Sequence, residues 1–198
     1  MTGRLLSLGE IEAACWRELA AAAGDAKHPW RTPVLATIDD GQADARTVVL
    51  REARAPELRL YSDARAPKVA QARRDPSGTL VMWSPALGWQ LRCRVQLAVM
   101  ADGPEVAARW QSVRATRGAL DYLSPATPGA PLAAPASASS STSPVISADT
   151  STAISPDADA HFAIIVATVV SLDWLELHRE GHRRARFDTA GERRWLQP

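Results

Sequence analysis

The sequence predicts an α+β fold: a single domain over residues 1–198 in which an antiparallel six-stranded β-barrel is flanked by helices. Three observations support this prediction. Short runs rich in β-branched and aromatic residues alternate with turn-like segments, as in a β-meander. Two segments with helical periodicity lie on either side of these runs. A chain of 198 residues is long enough for one substantial core but short for two.

The chain opens with a predicted amphipathic helix. Apolar side chains recur at helical spacing from Leu8 to Ala23, and Gly24 supplies a stop. Four short strand-like runs follow, with the sequences TPVLATID, ARTVVLRE, ELRLYSD and GTLVMWSP. Before the last of these runs, Pro67 favours the start of a short helix with Val69 and Ala72 on one face.

The next run, GWQLRCRVQLAVM, alternates strictly, which predicts a long strand with one buried and one wet face. A second helix follows Pro104. Residues 124–159 are rich in Ser, Thr, Ala and Pro, and we expect a mobile insertion that interrupts the domain. The apolar run HFAIIVATVVSLDWLEL and the segments HRRARFD and RRWLQP then predict closing strands.

Composition excludes several classes of function. A net charge of +1 argues against the broad basic face of a nucleic-acid binder. No run has the length of a membrane span and the first residues lack a signal-peptide pattern, so we expect a cytoplasmic protein without a membrane partner. Cys15 and Cys93 are expected in the core. No metal-ligand spacing, Walker-type loop or dinucleotide fingerprint is found.

A cluster of basic residues predicts an anion site. If RTVVLR is one strand, Arg46 and Arg51 emerge near its two ends on opposite faces unless a bulge intervenes. The segment YSDARAPK adds Ser62, Arg65 and Lys68 beside a helix N-terminus. Most of these cations lack an acidic neighbour in the stretch 45–71, which predicts a phosphate as their partner. The alternative is that each arginine is a solvated strand-edge residue.

Four segments in order, RTVVLR, LYSDARAPKV, DPSGTLVMWSP and GWQLRCRVQ, resemble the FMN-binding split-barrel flavoproteins related to pyridoxamine 5'-phosphate oxidase. The resemblance covers nearly the whole chain except the insertion. It implies an FMN cofactor, a homodimer and a small-molecule substrate. It also implies cofactor-binding positions on three segments, which are Arg46, Thr47, Val48, Val49, Leu50 and Arg51, then Tyr61, Ser62, Arg65 and Lys68, and finally Gln90 from the partner subunit.

The same resemblance implies substrate-binding roles for Arg117, Arg184 and Arg186. Val113 and Asp121 stand where the related oxidases carry a tyrosine and a serine, so an altered substrate pocket is expected. An FMN-dependent oxidoreductase is therefore the first hypothesis, with no residue identified as a catalytic acid or base. The alternatives are a flavin-binding or carrier protein without turnover, a split barrel that uses a deazaflavin or haem, and a structural dimer whose groove is empty.

Overall fold

A computed structural model describes residues 4–131 and 160–198. Within these two ranges nine strands form one antiparallel sheet, so the prediction of six strands was too low. The strands are β1 (Val34–Asp39), β2 (Gln42–Thr47), β3 (Leu50–Arg54), β4 (Glu57–Asp63), β5 (Ser77–Ser84), β6 (Trp89–Met100), β7 (Phe162–Glu176), β8 (Arg183–Asp188) and β9 (Arg193–Leu196). The excess arises because the RTVVLR segment is divided between two strands, and because each of the C-terminal segments forms a strand of its own.

Three α-helices pack around the sheet: α1 (Leu8–Gly24), α2 (Pro67–Arg74) and α3 (Pro104–Val113). Their positions confirm the helices expected from periodicity. Helix α1 begins with a capping box, in which the side chains of Ser7 and Glu10 each accept a hydrogen bond from the other residue's backbone N–H. Short 3-10 helices span Pro29–Arg31 and Arg117–Tyr122. Among the described residues, no helix is long and apolar enough to cross a membrane.

The order of the strands curls the sheet into a barrel. The main path runs β2-β1-β5-β6-β7-β4-β3, and β8 and β9 extend from the second half of β7. Strands β2 and β3 therefore lie at opposite ends of this path, although only Val48 and Val49 separate them in sequence. This short connection therefore links the two ends of the path.

The expectation that RTVVLR is one strand was wrong. The N–H of Val48 donates to the carbonyl of Pro33, 2.9 Å away, and the chain leaves the β1–β2 ladder at this point. The register of β3 with β4 then shifts between Leu50 and Glu52, which places Arg51 at a bulge. Arg46 lies on β2 and Arg51 on β3, so the alternation of side chains along one strand cannot predict how these two side chains are oriented relative to each other.

The core lies between the inner sheet face and α1. In β6 the buried side chains are Leu91, Cys93, Val95 and Leu97, while the residues between them face outward, as the alternation predicts. Both cysteines are buried and free. A smaller apolar cluster packs α3 against the first half of β7, around Phe162.

The predicted insertion at 124–159 falls mostly on residues 132–159, which lie outside the described residues. Its first positions, 124–131, are described, and backbone carbonyls there contact Arg65.

Candidate functional site

Arg51 carries an unused hydrogen-bond donor in the described structure. Its guanidinium carbon lies 5.5 Å from the centre of the Tyr61 ring, which fixes the side chain through a cation–π contact. The Nε atom is buried and has no hydrogen-bond partner among the described residues. Buried polar atoms are normally paired, so an orphaned donor on a charged group indicates room for an acceptor.

Lys68 is a second cation without a counterion. It lies in the first turn of α2, is partly buried, and forms no ion pair or hydrogen bond with any part of the chain that the structure describes. Burial lowers the pKa of the Lys68 ammonium, and the nearby Arg46 lowers it further, against the opposite effect of Asp63. An anion bound between Lys68 and Arg46 would offset both causes of the lowered pKa.

Arg46 is held in place by a network that sequence reasoning missed. Its guanidinium donates to the Oε1 atom of Gln71, 2.9 Å away, and to the carboxylate of Asp44. Gln71 is buried, accepts a hydrogen bond of 2.6 Å from Thr37 and donates one of 2.8 Å to Asp44. Gln71 therefore orients both members of the Arg46–Asp44 pair.

Arg65 is fully engaged within the chain. Its guanidinium forms an ion pair of 2.7 Å with Asp63 and donates to the carbonyl of Ser124, 2.8 Å away. Burial raises the pKa of Asp63, but hydrogen bonds from Arg65 outweigh this effect and hold the pKa below its usual value. Arg59 likewise pairs with Glu57 and Glu105. Arg46, Arg59 and Arg65 therefore have carboxylate partners in the chain, and two of these partners, Asp44 and Glu105, lie outside the stretch 45–71 in which the sequence shows few acidic neighbours.

The remaining predicted cofactor positions lie between these cations. Thr47 is exposed, Val49 is half-buried, and Val48 and Leu50 are buried. The hydroxyl of Ser62 is buried and donates to the carbonyl of Asp63 at 3.1 Å, leaving its oxygen lone pairs available.

Tyr61 links two parts of the site. Its hydroxyl donates to Glu52 at 3.1 Å, and burial, followed by the charge of Glu52, raises the pKa of its phenol. The chain segment Tyr61–Asp63 thus extends from Arg51 at one end to Lys68 at the other. This separation of two unneutralised cations suits an elongated ligand with more than one polar group.

Gln90 lies on a different part of the sheet. It is half-buried on the outer face of β6, paired with Trp83 on β5 and Leu175 on β7. Strands β7 and β4 separate β6 from β3, where Arg51 lies. Within one chain, Gln90 therefore belongs to another surface.

The predicted substrate residues are divided between two places. Arg184 and Arg186 line a cavity of about 230 Å³ on the outer face of β5–β9, together with Arg92 and Arg94. Arg117 does not line this cavity but is exposed at the start of the second 3-10 helix, and Asp121 is also exposed there. Arg92 and Arg94 were not singled out from the sequence, although their outward alternation along β6 was the available signal.

Metal chemistry finds no support in residues 4–131 and 160–198, where no three His, Cys, Asp or Glu side chains come together as a metal site requires. The cationic groups instead suit an anionic organic cofactor. Arg51 and Lys68 fit the phosphate or the polar side chain of a flavin nucleotide, because both offer donors that no described carboxylate occupies.

Comparisons with known proteins identify similar FMN-binding proteins. Residues 13–101 match the family described as pyridoxamine 5'-phosphate oxidase, FMN-binding domain. A pyridoxamine 5'-phosphate oxidase-related, FMN-binding protein from Nostoc punctiforme PCC 73102 has a similar structure, with a TM-score of 0.67 and 20% identity over 98% of this chain and 100% of that chain. None of the curated proteins matches.

Two further solved structures have the same architecture at low identity. PhzG from Burkholderia lata 383, in complex with tetrahydrophenazine-1-carboxylic acid, has a TM-score of 0.71 and 13% identity over 100% of this chain and 99% of that chain. A protein of the pyridoxinephosphate oxidase family from Clostridium acetobutylicum has a TM-score of 0.53 and 9% identity over 93% of this chain and 98% of that chain. Residues 13–101 therefore match the FMN-binding domain of the pyridoxamine 5'-phosphate oxidase family, and the chain has the split-barrel fold of these structures.

Proposed function

We propose that the protein is a cytoplasmic FMN-dependent oxidoreductase that acts as a homodimer on a small organic molecule. The observation that carries the proposal is the buried Nε atom of Arg51, which has no partner among the described residues and lies in the segment of an FMN-binding domain. An orphaned donor of this kind is costly unless a ligand accepts from it.

In this proposal the residues of the segments 46–51 and 61–68 have different roles in binding the cofactor. Lys68, Arg46 and the hydroxyl of Ser62 hold the phosphate, since Lys68, at the start of α2, lies near Arg46 and has no ion-pair partner among the described residues. Arg51 donates through Nε to a second polar group of the cofactor. Val48 and Val49 present backbone groups and apolar surface to the ring. Arg65 acts indirectly, because its ion pair with Asp63 fixes the loop before α2.

The flavin ring supplies two-electron transfer, which protein side chains cannot perform. The chain contributes binding, orientation and electrostatics. No described side chain is assigned here as an acid or base.

The dimer is proposed from the position of Gln90. This side chain lies on β6, separated by β7 and β4 from the strand that carries Arg51. We infer that Gln90 contacts a ligand held by Arg51 across a subunit boundary, with a second copy supplying the hydrogen bond. A groove between two copies also gives the walls that one small barrel lacks.

The substrate is proposed to be a small organic molecule. This agrees with the structurally similar PhzG, whose structure is a complex with tetrahydrophenazine-1-carboxylic acid. A second candidate function is flavin binding without turnover. It is favoured by the exposed Asp121, which would repel a substrate phosphate near Arg117. A multiple-turnover screen with reductants and oxygen, followed by absorbance, distinguishes the two functions, because only an enzyme consumes many equivalents of reductant per flavin faster than free FMN does.

The experiment that tests the proposal is the visible spectrum of freshly purified protein, followed by titration of stripped protein with FMN. We expect a flavin spectrum, saturable binding of one FMN per chain, and a rise in melting temperature that grows with FMN concentration. A haem or deazaflavin spectrum, or a melting temperature that FMN does not change, contradicts the proposal. Sedimentation of the loaded protein should give the mass of two chains.

A further inference from the structure

We propose that Glu52 is a positioning residue, which holds Arg51 through the side chain of Tyr61 so that the Arg51 Nε atom faces a ligand. As a statement about FMN affinity, the inference rests on the proposed function. The contacts that carry it lie within the chain and require no flavin.

Two successive residues of β3 contact the same aromatic ring. On a regular strand, Arg51 and Glu52 would point to opposite faces of the sheet. The register of β3 with β4 shifts between Leu50 and Glu52, and a shift of this kind redirects the side chains beside it. Both side chains reach Tyr61: the guanidinium of Arg51 lies over the ring, and the carboxylate of Glu52 accepts from the hydroxyl at 3.1 Å.

The two carboxylate oxygens of Glu52 have separate partners. Oε1 accepts from the Tyr61 hydroxyl, and Oε2 accepts from the Nη2 atom of Arg109, 2.8 Å away. Arg109 lies on α3, so this ion pair connects Glu52 to a helix outside the sheet. The second partner restricts the rotation of the carboxylate, which gives the phenol of Tyr61 a fixed acceptor.

The hydrogen bond to Glu52 adds direction to the packing of Tyr61. Tyr61 is half-buried, and Phe162 packs against its ring edge-to-face, with the ring centres 5.0 Å apart. This apolar contact holds the ring in place, whereas a hydrogen bond depends strongly on angle. Glu52 therefore sets the orientation of the ring on which the Arg51 guanidinium rests.

Charge and position predict opposite effects of Glu52 on FMN binding. A carboxylate close to an anionic ligand repels it, so the removal of Glu52 would strengthen FMN binding if charge alone acted. A positioning role predicts weaker binding after the same change, because Arg51 then has to be ordered when the ligand binds. The sign of the change in affinity therefore identifies the role.

The test compares Glu52→Ala with Glu57→Ala, first in protein free of flavin. Glu57 is the matched control, because it lines the same cavity of about 440 Å³, is also half-buried and pairs with Arg59 instead of contacting Tyr61. Nitrogen NMR detects the Nε–H group of Arg51, whose signal is assigned by its loss in Arg51→Ala and is displaced by the ring current of Tyr61. We expect Glu52→Ala to shift this signal and Glu57→Ala to leave it in place.

FMN affinity is the second measurement. Glu52→Ala should weaken FMN binding roughly 3- to 10-fold, the range expected for the loss of one hydrogen bond. Glu57→Ala should bind FMN as tightly as the wild type or more tightly. In an Arg51→Ala background, Glu52→Ala should cause no further loss, since a residue that acts through Arg51 has no such effect without it.

Tyr61→Phe tests the same link without a change in charge. It keeps the ring and its contact with Phe162 but removes the hydroxyl that donates to Glu52. This variant should also shift the Arg51 Nε–H signal and weaken FMN binding, and it decides the question if Glu52→Ala does not fold.

Three results overturn the inference: an Nε–H signal that neither variant moves, FMN binding in Glu52→Ala as tight as in Glu57→Ala, or a loss of affinity that adds to that of Arg51→Ala. A wild-type protein that binds no FMN contradicts the proposed function alone, because the NMR comparison still decides whether Glu52 positions Arg51.

Discussion

The guanidinium of Arg51 stacks on the ring of Tyr61, 5.5 Å from its centre, and its buried Nε atom has no partner among the described residues. The stacking holds the arginine in one orientation before any ligand arrives. Pre-organisation of this kind reduces the entropy lost on binding. Arg51 is thus prepared for an acceptor.

Arg51→Ala should lower the affinity for FMN by roughly 10- to 100-fold, because a hydrogen bond to a charged group contributes about 1.5–3 kcal/mol. Quenching of flavin fluorescence gives the dissociation constant. Arg54→Ala is the control, since Arg54 is exposed on the same strand and the change in net charge is identical. Equal losses of FMN affinity in the two variants would mean that Arg51 contributes only general electrostatic attraction and no specific hydrogen bond.

Lys68→Met should weaken FMN binding by about tenfold without lowering the stability of the protein free of flavin. The lowered pKa of Lys68 means that the folded state disfavours the ammonium. Stability of the wild type should therefore rise as pH rises from this lowered pKa towards 10.5, the ordinary value, and the variant should lack that rise. Urea unfolding over this pH range measures it. Lys27→Met, at an exposed lysine, should keep both the rise and the affinity.

Glu176→Gln should destabilise the protein by about 2 kcal/mol. Glu176 is 6% exposed and accepts hydrogen bonds of 2.8 Å from both Arg4 and Arg183. Burial raises its pKa, but these bonds outweigh burial and leave the pKa lowered.

The ionised form of Glu176 therefore stabilises the wild type above pH 4.5, the ordinary pKa, and this contribution is lost as pH falls through the lowered pKa. Denaturant unfolding between pH 3 and 6 should show that the variant loses less unfolding free energy in acid than the wild type does. The difference should be on the order of a few tenths to 2 kcal/mol, which is what one such group supplies. Glu192→Gln, at an exposed residue, should stay within about 0.5 kcal/mol of the wild type. Acid slopes that coincide for wild type and Glu176→Gln would contradict the role of this carboxylate.

Gly88→Ala should cost roughly 2–4 kcal/mol, because two penalties combine there. Gly88 has a φ of +65°, and an added Cβ would lie 2.6 Å from the carbonyl oxygen of Leu177. Gly41→Ala is the control, since Gly41 has a φ of +81° but nothing within 4 Å of an added Cβ. Thermal unfolding of both should show a larger loss for Gly88. Equal losses would mean that the Leu177 backbone moves away freely.

The sequence predicted those parts of the fold that depend on local periodicity. Helix α1 and the alternation of β6 followed directly from the spacing of their apolar residues. The division of RTVVLR did not, because it depends on where β2 stops pairing with β1 and β3 begins to pair with β4. Non-local pairing of this kind leaves no periodic signal.

The sequence predicted only part of the candidate site. Among the described residues, Arg51 and Lys68 have no carboxylate partner, whereas Arg46 and Arg65 each form an ion pair. Each of their aspartates lies two residues earlier in the chain. Strand parity could have revealed the Asp44–Arg46 pair on β2, but Arg65 lies in the turn after β4, where parity does not apply. The contacts of Gln71 and the meeting of Arg92 with Arg184 depend on long-range register, which local patterns do not contain.

The connection Val48–Val49 joins the first and last strands of the main sheet path, and Arg46 and Arg51 stand on either side of it. A molecule that contacts both arginines would link β2 to β3 across the two ends of the sheet path. Amide hydrogens of β2 and β3 should then exchange more slowly with solvent when this molecule is bound, while those of β8 and β9 keep their rates. Binding of the cofactor would thus also hold the first and last strands of the path together.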